Sequence, residues 1–264
     1  MSTSPRPADA SGPAAGLESL AQELAQVRAE FQDFVHTVSH DLRAPLRHIT
    51  AFTRIIEEDL PDPPPDILGH LATVRQSAQL LDQQLNGLTM LSRLGQHCLQ
   101  LQAVDVSALV QAVADELTQR LPARAVTWQL AQDAPLVWAD ADLLRQVFTH
   151  LLDNALKFSR SREPAQVTVS WQVAAPSDAA QTAQAGQCRI SVTDNGVGFA
   201  PDQAGKLFKV FAKLHPTRDF EGLGLGLVCS RKIMQQMQGS IGIAVTLDGG
   251  CCVSLSLPLA PQTP

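Results

Sequence analysis

The stretch Phe34–His48, FVHTVSHDLRAPLRH, sets His40 beside the carboxylate of Asp41 on an apolar-periodic segment and follows them with Pro45. Upstream of it Leu17, Leu20, Leu24, Val27, Phe31, Phe34 and Val38 alternate spacings of three and four, the seam of a coiled coil or helical bundle. His40 lies two positions past that seam, about 200° of rotation on a 3.6-residue turn, so its imidazole is predicted to face water. Downstream the seam resumes at Leu42, Leu46, Ile49, Thr53, Ile56 and Leu60. Val38, Leu42 and Leu46 are separated by two successive fours, a stutter that changes the supercoil locally. Pro45 falls in the same place, where its missing N–H and its ring should bend the helix just beyond His40.

Taken alone, a histidine–aspartate pair on an exposed helix face reads first as solvated surface. The surrounding residues separate the two readings. VSHDLRAPLRHI, residues 38–49, resembles the H-box of sensor histidine kinases of two-component systems, in its SH[DE]LRxPL form. The resemblance implies that His40 accepts a phosphoryl group and that Asp41 is the candidate general base, orienting the imidazole and stabilising its developing positive charge. It implies as well that an ATP-binding domain follows. Arg43 and Arg47, one and two turns on, could steady a phosphate, meet an acidic partner or be surface charge.

A chain of 264 residues with 45% hydrophobic residues has room for one or two domains, of which two are expected. A net charge of -6 and a pI near 5.6 give no electrostatic footprint for nucleic acid or an anionic membrane. No apolar run approaches the length of about 18 residues needed to span a bilayer, and the opening MSTSPRPADASGPAAG lacks a signal-peptide pattern, so a cytoplasmic location is expected. Cys98, Cys188, Cys229, Cys251 and Cys252 show no CxxC spacing and read as buried or incidental thiols.

Residues 1–16, rich in Pro, Ser, Ala and Gly, are expected to form a disordered tail. A first helix should begin near Gly16 or Leu17 and run to about Asp59, where PDPPPD stops it. A second begins near Asp66 as a plausible N-cap and carries Ile67, Leu71, Val74, Ala78, Leu81, Leu85 and Leu88 on one stripe. The two form an antiparallel hairpin over residues 17–97. A hairpin offers only one partner to each stripe, so dimerisation into a four-helix bundle is the natural way to bury the rest.

Beyond about Leu101 the period switches to mixed α and β, and residues 98–264 are expected to form the second domain. LQAVDVSALVQAVADEL reads as a short strand entering a helix capped by Asp105 or Ser107, and AVTWQL and LVWA read as strands. Asp140 or Asp142 opens a helix with Leu144, Val147, Leu151, Ala155 and Phe158 inward, while His150, Asn154 and Lys157 share another face. After a strand over 166–173, AAPSDAAQTAQAGQ looks like an extended hairpin loop. A strand over 188–193 then ends in DNGVGF, whose Gly196 and Gly198 permit close approach of a ligand. Glycines 222, 224 and 226 of EGLGLGLVCSRKIMQQMQGSI precede a helix whose free N–H groups can face phosphates. A dinucleotide fingerprint would look similar, but neither the strand before it nor the acidic residue after it is apparent. GSIGIAVTL and GCCVSLSLPL close the chain as strands.

These segments extend the resemblance. RQVFTHLLDNALKFS resembles the N-box, NLLxNAxK[FY], implying Asn154 as the Mg²⁺ ligand and Lys157 and Phe158 at the nucleotide. DNGVGF resembles the first glycine box, implying that Asp194 accepts a hydrogen bond from the adenine amino group, with Gly196 and Gly198 beside it. KLFKVFAKLH resembles the F-box, with Lys213 reaching the phosphates, and Gly222, Gly224 and Gly226 resemble the second glycine box. The implied fold is α+β: a helical dimerisation and phosphotransfer hairpin, then an α/β sandwich of the gyrase, heat-shock chaperone and histidine kinase type. The pairing of FAKLH with EGLGLGL looks most like the phytochrome-associated kinases. ATP and Mg²⁺ are the implied cofactors, a response regulator receiver domain and a second copy of the chain the implied partners, and the input a sensor outside this sequence. Departures are His150 where the family usually has asparagine, Met237-Gln238 where it has His-Gly, Lys213 where it often has arginine, and Ala44 where bifunctional members carry threonine or asparagine. Two other readings stand beside this one: an ATP-hydrolysing relative, against which His150 counts because it replaces the water-activating carboxylate, and a catalytically impaired scaffold, to which the departures at Lys213, Met237 and Gln238 point.

Overall fold

A computed structural model describes residues 12–61, 64–94, 98–122, 124–174, 186–215, 220–246 and 249–261. The chain divides into two compact units, Met1–Arg93 and Leu94–Pro264.

In the first unit the apolar seam forms α1 (Gly12–Asp59), which runs unbroken through Pro45, and the prolines that follow release the chain into α2 (Pro65–Arg93). Contacts of Gln32 with the carbonyl of Ser92 and of Glu57 with Arg75 fix the pair as antiparallel. Two expected boundaries move. α1 starts at Gly12, because Ala14 and Ala15 extend an already nucleated helix at little cost; residues 1–11 of the expected tail lie outside the described residues. Asp66 is not the cap of α2 but lies in its first turn, since Pro65 takes the first helical position, where its fixed φ suits the helix and its missing N–H is not needed.

The hairpin buries only part of the stripe expected on each helix. Leu46 and Thr53 of α1 and Ala78 and Leu85 of α2 are buried, with Leu46, Ala78 and Leu85 forming one cluster. The alternate positions, Leu42, Ile49 and Ile56 on α1 and Ile67, Val74 and Leu81 on α2, each recur every seven residues and remain 40–46% exposed. In a heptad, the two apolar classes point to opposite sides of the seam, and one neighbour can cover only one of them.

The second unit is a layer of helices on a mixed sheet. Strands β1 (Leu101–Val104) and β3 (Val137–Asp140) pair antiparallel, while β2 (Val126–Leu130), β4 (Ala165–Ala174), β5 (Gln187–Asp194), β7 (Cys251–Pro258) and β6 (Ser240–Val245) form a sheet in that spatial order, with only β2 and β4 parallel. Helices α3 (Val106–Arg120), α4 (Ala141–Phe158) and α5 (Gly226–Gln236) pack on it, α4 in contact with both of the others. Between the two caps that the sequence leaves open for α3, Asp105 takes the role, accepting from the Ala108 amide at 3.0 Å, and for α4 Asp140 accepts from Leu143 at 3.1 Å. Ser107 instead bridges the Ala131 carbonyl and the Ala134 amide. The expected loop over residues 175–185 lies outside the described residues.

Period-two alternation positions the site. Cys188, Ile190 and Val192 of β5 point inward against α4, and the same parity brings Asp194 inward at the strand's end. A carboxylate therefore stands where the pattern calls for an apolar side chain. Facing it, α4 buries Leu144, Val147, Leu151 and Ala155, but Phe158 of the expected inner face is only half-buried, because it turns at the helix end into a cavity.

Candidate functional site

That cavity, about 320 Å³, lies between α4, the end of β5, the segment 207–215 and the glycine-rich entry to α5. Asn154, Lys157, Phe158, Asp194, Gly198, Lys213, Gly222, Gly224 and Gly226 all line it. Gly196 does not. It works from behind, its N–H donating to Asp194 Oδ1 at 2.9 Å, and a Cβ there would meet the Phe158 carbonyl at 2.7 Å.

Asp194 is held by two backbone donors, both to Oδ1: Gly196 and, at 3.3 Å, the amide of Cys251. Burial pushes its carboxyl above the ordinary value, opposed by these two hydrogen bonds. The Cys251 contact is absent from the sequence reading. Its visible signal is the Gly249-Gly250 pair just before β7, because a Cβ at Gly250 would collide with the Asp194 carbonyl. Gly198 has φ +62°, and a Cβ there would collide with the Gly249 carbonyl, so only glycine fits.

On α4, Lys157 Nζ donates to Asn154 Oδ1 at 3.1 Å and lies 4.5 Å from the Phe158 ring centroid. Burial lowers the Lys157 pKa, Asp153 opposes that shift and Lys213 adds to it. Its ammonium is therefore held in a dry place beside a second cation, where an anion would be strongly favoured. One turn earlier, His150 Nδ1 lies 3.5 Å from Ser230 Oγ of α5, and burial lowers its pKa against the pull of Asp153. Gly226 packs over both residues: a Cβ there would sit 3.6 Å from His150 Cβ and 3.7 Å from Asn154 Nδ2. Whereas α3 and α4 carry aspartate caps, α5 begins at Leu225-Gly226 with no side-chain cap, leaving its first N–H groups beside the cavity lining. These groups suit a nucleotide triphosphate: N–H donors and a lysine for the phosphates, a buried acceptor for a base, and an amide oxygen for Mg²⁺. Among the described residues no group of three or more His, Cys, Asp or Glu side chains could hold a metal by itself, so a Mg²⁺ at Asn154 would need the nucleotide's oxygens. Asp153, Phe199, His215, Phe220 and Glu221 also line the cavity and were not expected there.

His40 and Asp41 belong to the first unit and are not among the cavity residues. Both side chains are largely exposed, as their offset from the seam predicts, and His40 Nδ1 sits 3.2 Å from Asp41 Oδ1. That contact engages one ring nitrogen and leaves Nε2 open. No helix among the described residues is long and apolar enough to cross a membrane.

An exposed helical histidine in one unit and a mixed-sheet cavity of this make-up in the other are the two-part arrangement of the histidine kinase class. Residues 32–97 match the His Kinase A (phospho-acceptor) domain, and residues 139–261 match the histidine kinase-, DNA gyrase B- and HSP90-like ATPase family. The chain belongs to the histidine kinases that join these two domains, and it matches sensor histidine kinases of two-component systems. Methanogenesis regulatory histidine kinase FilI of Methanothrix harundinacea is 32% identical over 237 residues, 89% of this chain and 25% of that protein. Phytochrome-like protein Cph1 of Synechocystis sp. is 26% identical over 247 residues, 92% of this chain and 31% of that one. Among solved structures, full-length ShkA in complex with AMPPNP superposes with a TM-score of 0.57 at 25% identity, covering 88% of this chain and 47% of that one. The chain spans between a quarter and a third of the length of these curated relatives.

Proposed function

We propose that this chain is the kinase core of a two-component sensor: it transfers the γ-phosphoryl group of ATP to Nε2 of His40 and then to an aspartate on a response regulator receiver domain. The observation that carries the reading is the convergence of nine sequence-marked residues, from four separate motifs, on one cavity. In that reading Asp194 accepts from the adenine amino group, and the uncapped start of α5 with Lys157 and Lys213 holds the phosphates. Mg²⁺, held through Asn154, would neutralise charge on the phosphates as they react. Asp41, at Nδ1 of His40, orients the ring and supports the positive charge that develops as Nε2 attacks phosphorus. The exposed heptad class of α1 and α2 receives the same face of a second copy, completing a four-helix bundle. The input comes from a sensor outside this chain, and the kinase works in the cytoplasm. A relative solved with AMPPNP supports nucleotide binding at this kind of cavity.

Incubation with γ-labelled ATP tests the reading: acid-labile, base-stable label on the protein is expected. Free phosphate without label would favour the ATP-hydrolysing relative, and neither product the scaffold. Hydrolysis is the weaker alternative because the position one turn before Asn154 holds His150, tied to Ser230, rather than a water-activating carboxylate.

Removal of phosphate from the regulator should be weak. Ala44, one turn beyond His40, has neither donor nor acceptor to orient a water, and a misplaced nucleophile loses about 10²-fold in rate. Decay of phospho-regulator in the presence of this protein and a non-hydrolysable ATP analogue is expected to be slow, and faster with Ala44→Thr. Fast decay with wild type, unimproved by the substitution, would contradict this.

A further inference from the structure

One wall of the cavity is aromatic, and no step of the phosphoryl transfer calls on two of its three rings. Phe158 at the end of α4, His215 and Phe220 each touch the other two: their centroids are 5.0 Å apart for Phe158–Phe220, 5.2 Å for His215–Phe220 and 5.7 Å for Phe158–His215. Cations sit against the outer rings, Lys157 on Phe158 and, at 4.8 Å, Arg160 on Phe220. Such tilted ring contacts are favourable beyond the area they bury. If packing were the whole of it, a third phenylalanine would serve, whereas an imidazole in an apolar cluster costs desolvation unless its polar atoms are bonded.

Of the three rings His215 is the one with a polar anchor. Its Nε2 lies 2.9 Å from the carbonyl oxygen of Gly198, to which it donates. Gly198 belongs to the loop that leaves Asp194, and it is wedged there against Gly249. The hydrogen bond therefore fixes the orientation of the imidazole relative to the same loop that carries the buried carboxylate. An aromatic face and an acceptor are thereby held at a set distance from each other across a cavity sized for a base.

We propose that His215 is a positioning residue for the purine base: pinned to Gly198, it holds the Phe158–His215–Phe220 wall in register with Asp194, so that a base stacked on the wall presents its amino group to the carboxylate. The proposal rests on the reading of this cavity as an ATP site. It assigns base recognition to two residues that the sequence motifs leave unassigned, His215 and Phe220. Base–aromatic stacking depends on the ring that faces the ligand being held in place by its neighbours, and a loosened wall should lose affinity while the phosphate end still reacts normally once filled.

The test is calorimetric titration of the full chain with ADP and Mg²⁺, alongside autophosphorylation kinetics and thermal melting. His215→Ala is expected to weaken ADP about tenfold, the lower part of what one stacked base contributes, and to raise the KM for ATP by the same factor at unchanged kcat and little-changed Tm. His215→Gln, which restores a donor for Gly198 without the ring, should recover part of the loss. Phe220→Leu removes a ring without touching the hydrogen bond and should give the same selective rise in KM, which keeps the idea testable if His215→Ala folds poorly. Unchanged ADP affinity in His215→Ala and Phe220→Leu would overturn the proposal, as would a fall in kcat and Tm together, the mark of a packing role. A wild-type protein that binds no ADP would overturn the nucleotide reading itself, and this inference with it.

Discussion

Asp194 shows a residue kept at a cost. Folding raises its pKa above the ordinary 3.8, chiefly by burial, so the folded state favours the protonated form. Its contribution to stability is therefore present below about pH 3.8 and lost as pH rises through the raised value. At neutral pH the buried charge is a burden that the Gly196 and Cys251 amides offset in part and that a ligand donor would relieve further. Asp194→Asn keeps an oxygen for the Gly196 and Cys251 amides, so it should raise the Tm of the nucleotide-free protein at neutral pH. The same change sets an amide donor against the adenine amino group, a clash of about 1–3 kcal/mol that should lower ADP affinity by about fivefold to a hundredfold. Scanning calorimetry and ADP titration of one sample check both signs, and an Asn variant that binds ADP normally would contradict the assignment. At this scale DNGVGF was legible, since strand parity and glycines mark the carboxylate. The Cys251 donor was not, because its partner lies more than fifty positions away and only the sheet's register of β5 on β7 joins them.

Helix ends show how far element boundaries follow from local chemistry. Asp105 and Asp140 cap α3 and α4 as their position before an apolar run suggests, whereas α2 was displaced by a proline able to occupy its first turn. The C-terminus of α5 carries a strained solution. The Gly239 amide bonds the Met234 carbonyl at 2.8 Å and the Gln238 amide bonds Gln235 at 3.2 Å, a Schellman arrangement that requires a left-handed residue at Gln238. Gln238 has φ +57° and an exposed side chain, where the family usually has glycine. A non-glycine residue in that region costs about 1 kcal/mol or somewhat more. Gln238→Gly should therefore stabilise the second unit by about 1 kcal/mol in denaturant unfolding, with the m-value unchanged. A loss of stability would mean that the Gln238 side chain makes contacts outweighing its backbone strain. The sequence shows that departure from the family but not its conformation, which depends on where the helix stops.

For the whole molecule, the seam over α1 and α2 was legible as a period, but not which positions of it a single hairpin would cover. The buried class, Leu46, Thr53, Ala78 and Leu85, joins the two helices of one chain, and the exposed class, Leu42, Ile49, Ile56, Ile67, Val74 and Leu81, is only partly covered within the hairpin. If a second copy covers it, Ile49→Asp places an unpaired carboxylate in that interface. Several kcal/mol of desolvation should then weaken the dimer by about a hundredfold or more. Light scattering across a dilution series should show the variant as a monomer where wild type remains a dimer; an unchanged mass would place the interface elsewhere. The second unit should still bind ADP, since its core is complete without the hairpin.

On the proposed reading labour is divided: acceptance of the phosphoryl group at His40 in one unit, nucleotide binding in the other. The most direct measurement is made on one variant, His40→Gln, by following label from γ-labelled ATP and ADP affinity together. No acid-labile label and an ADP affinity equal to that of wild type are expected. Label persisting on the variant, or nucleotide binding lost with the histidine, would contradict that reading.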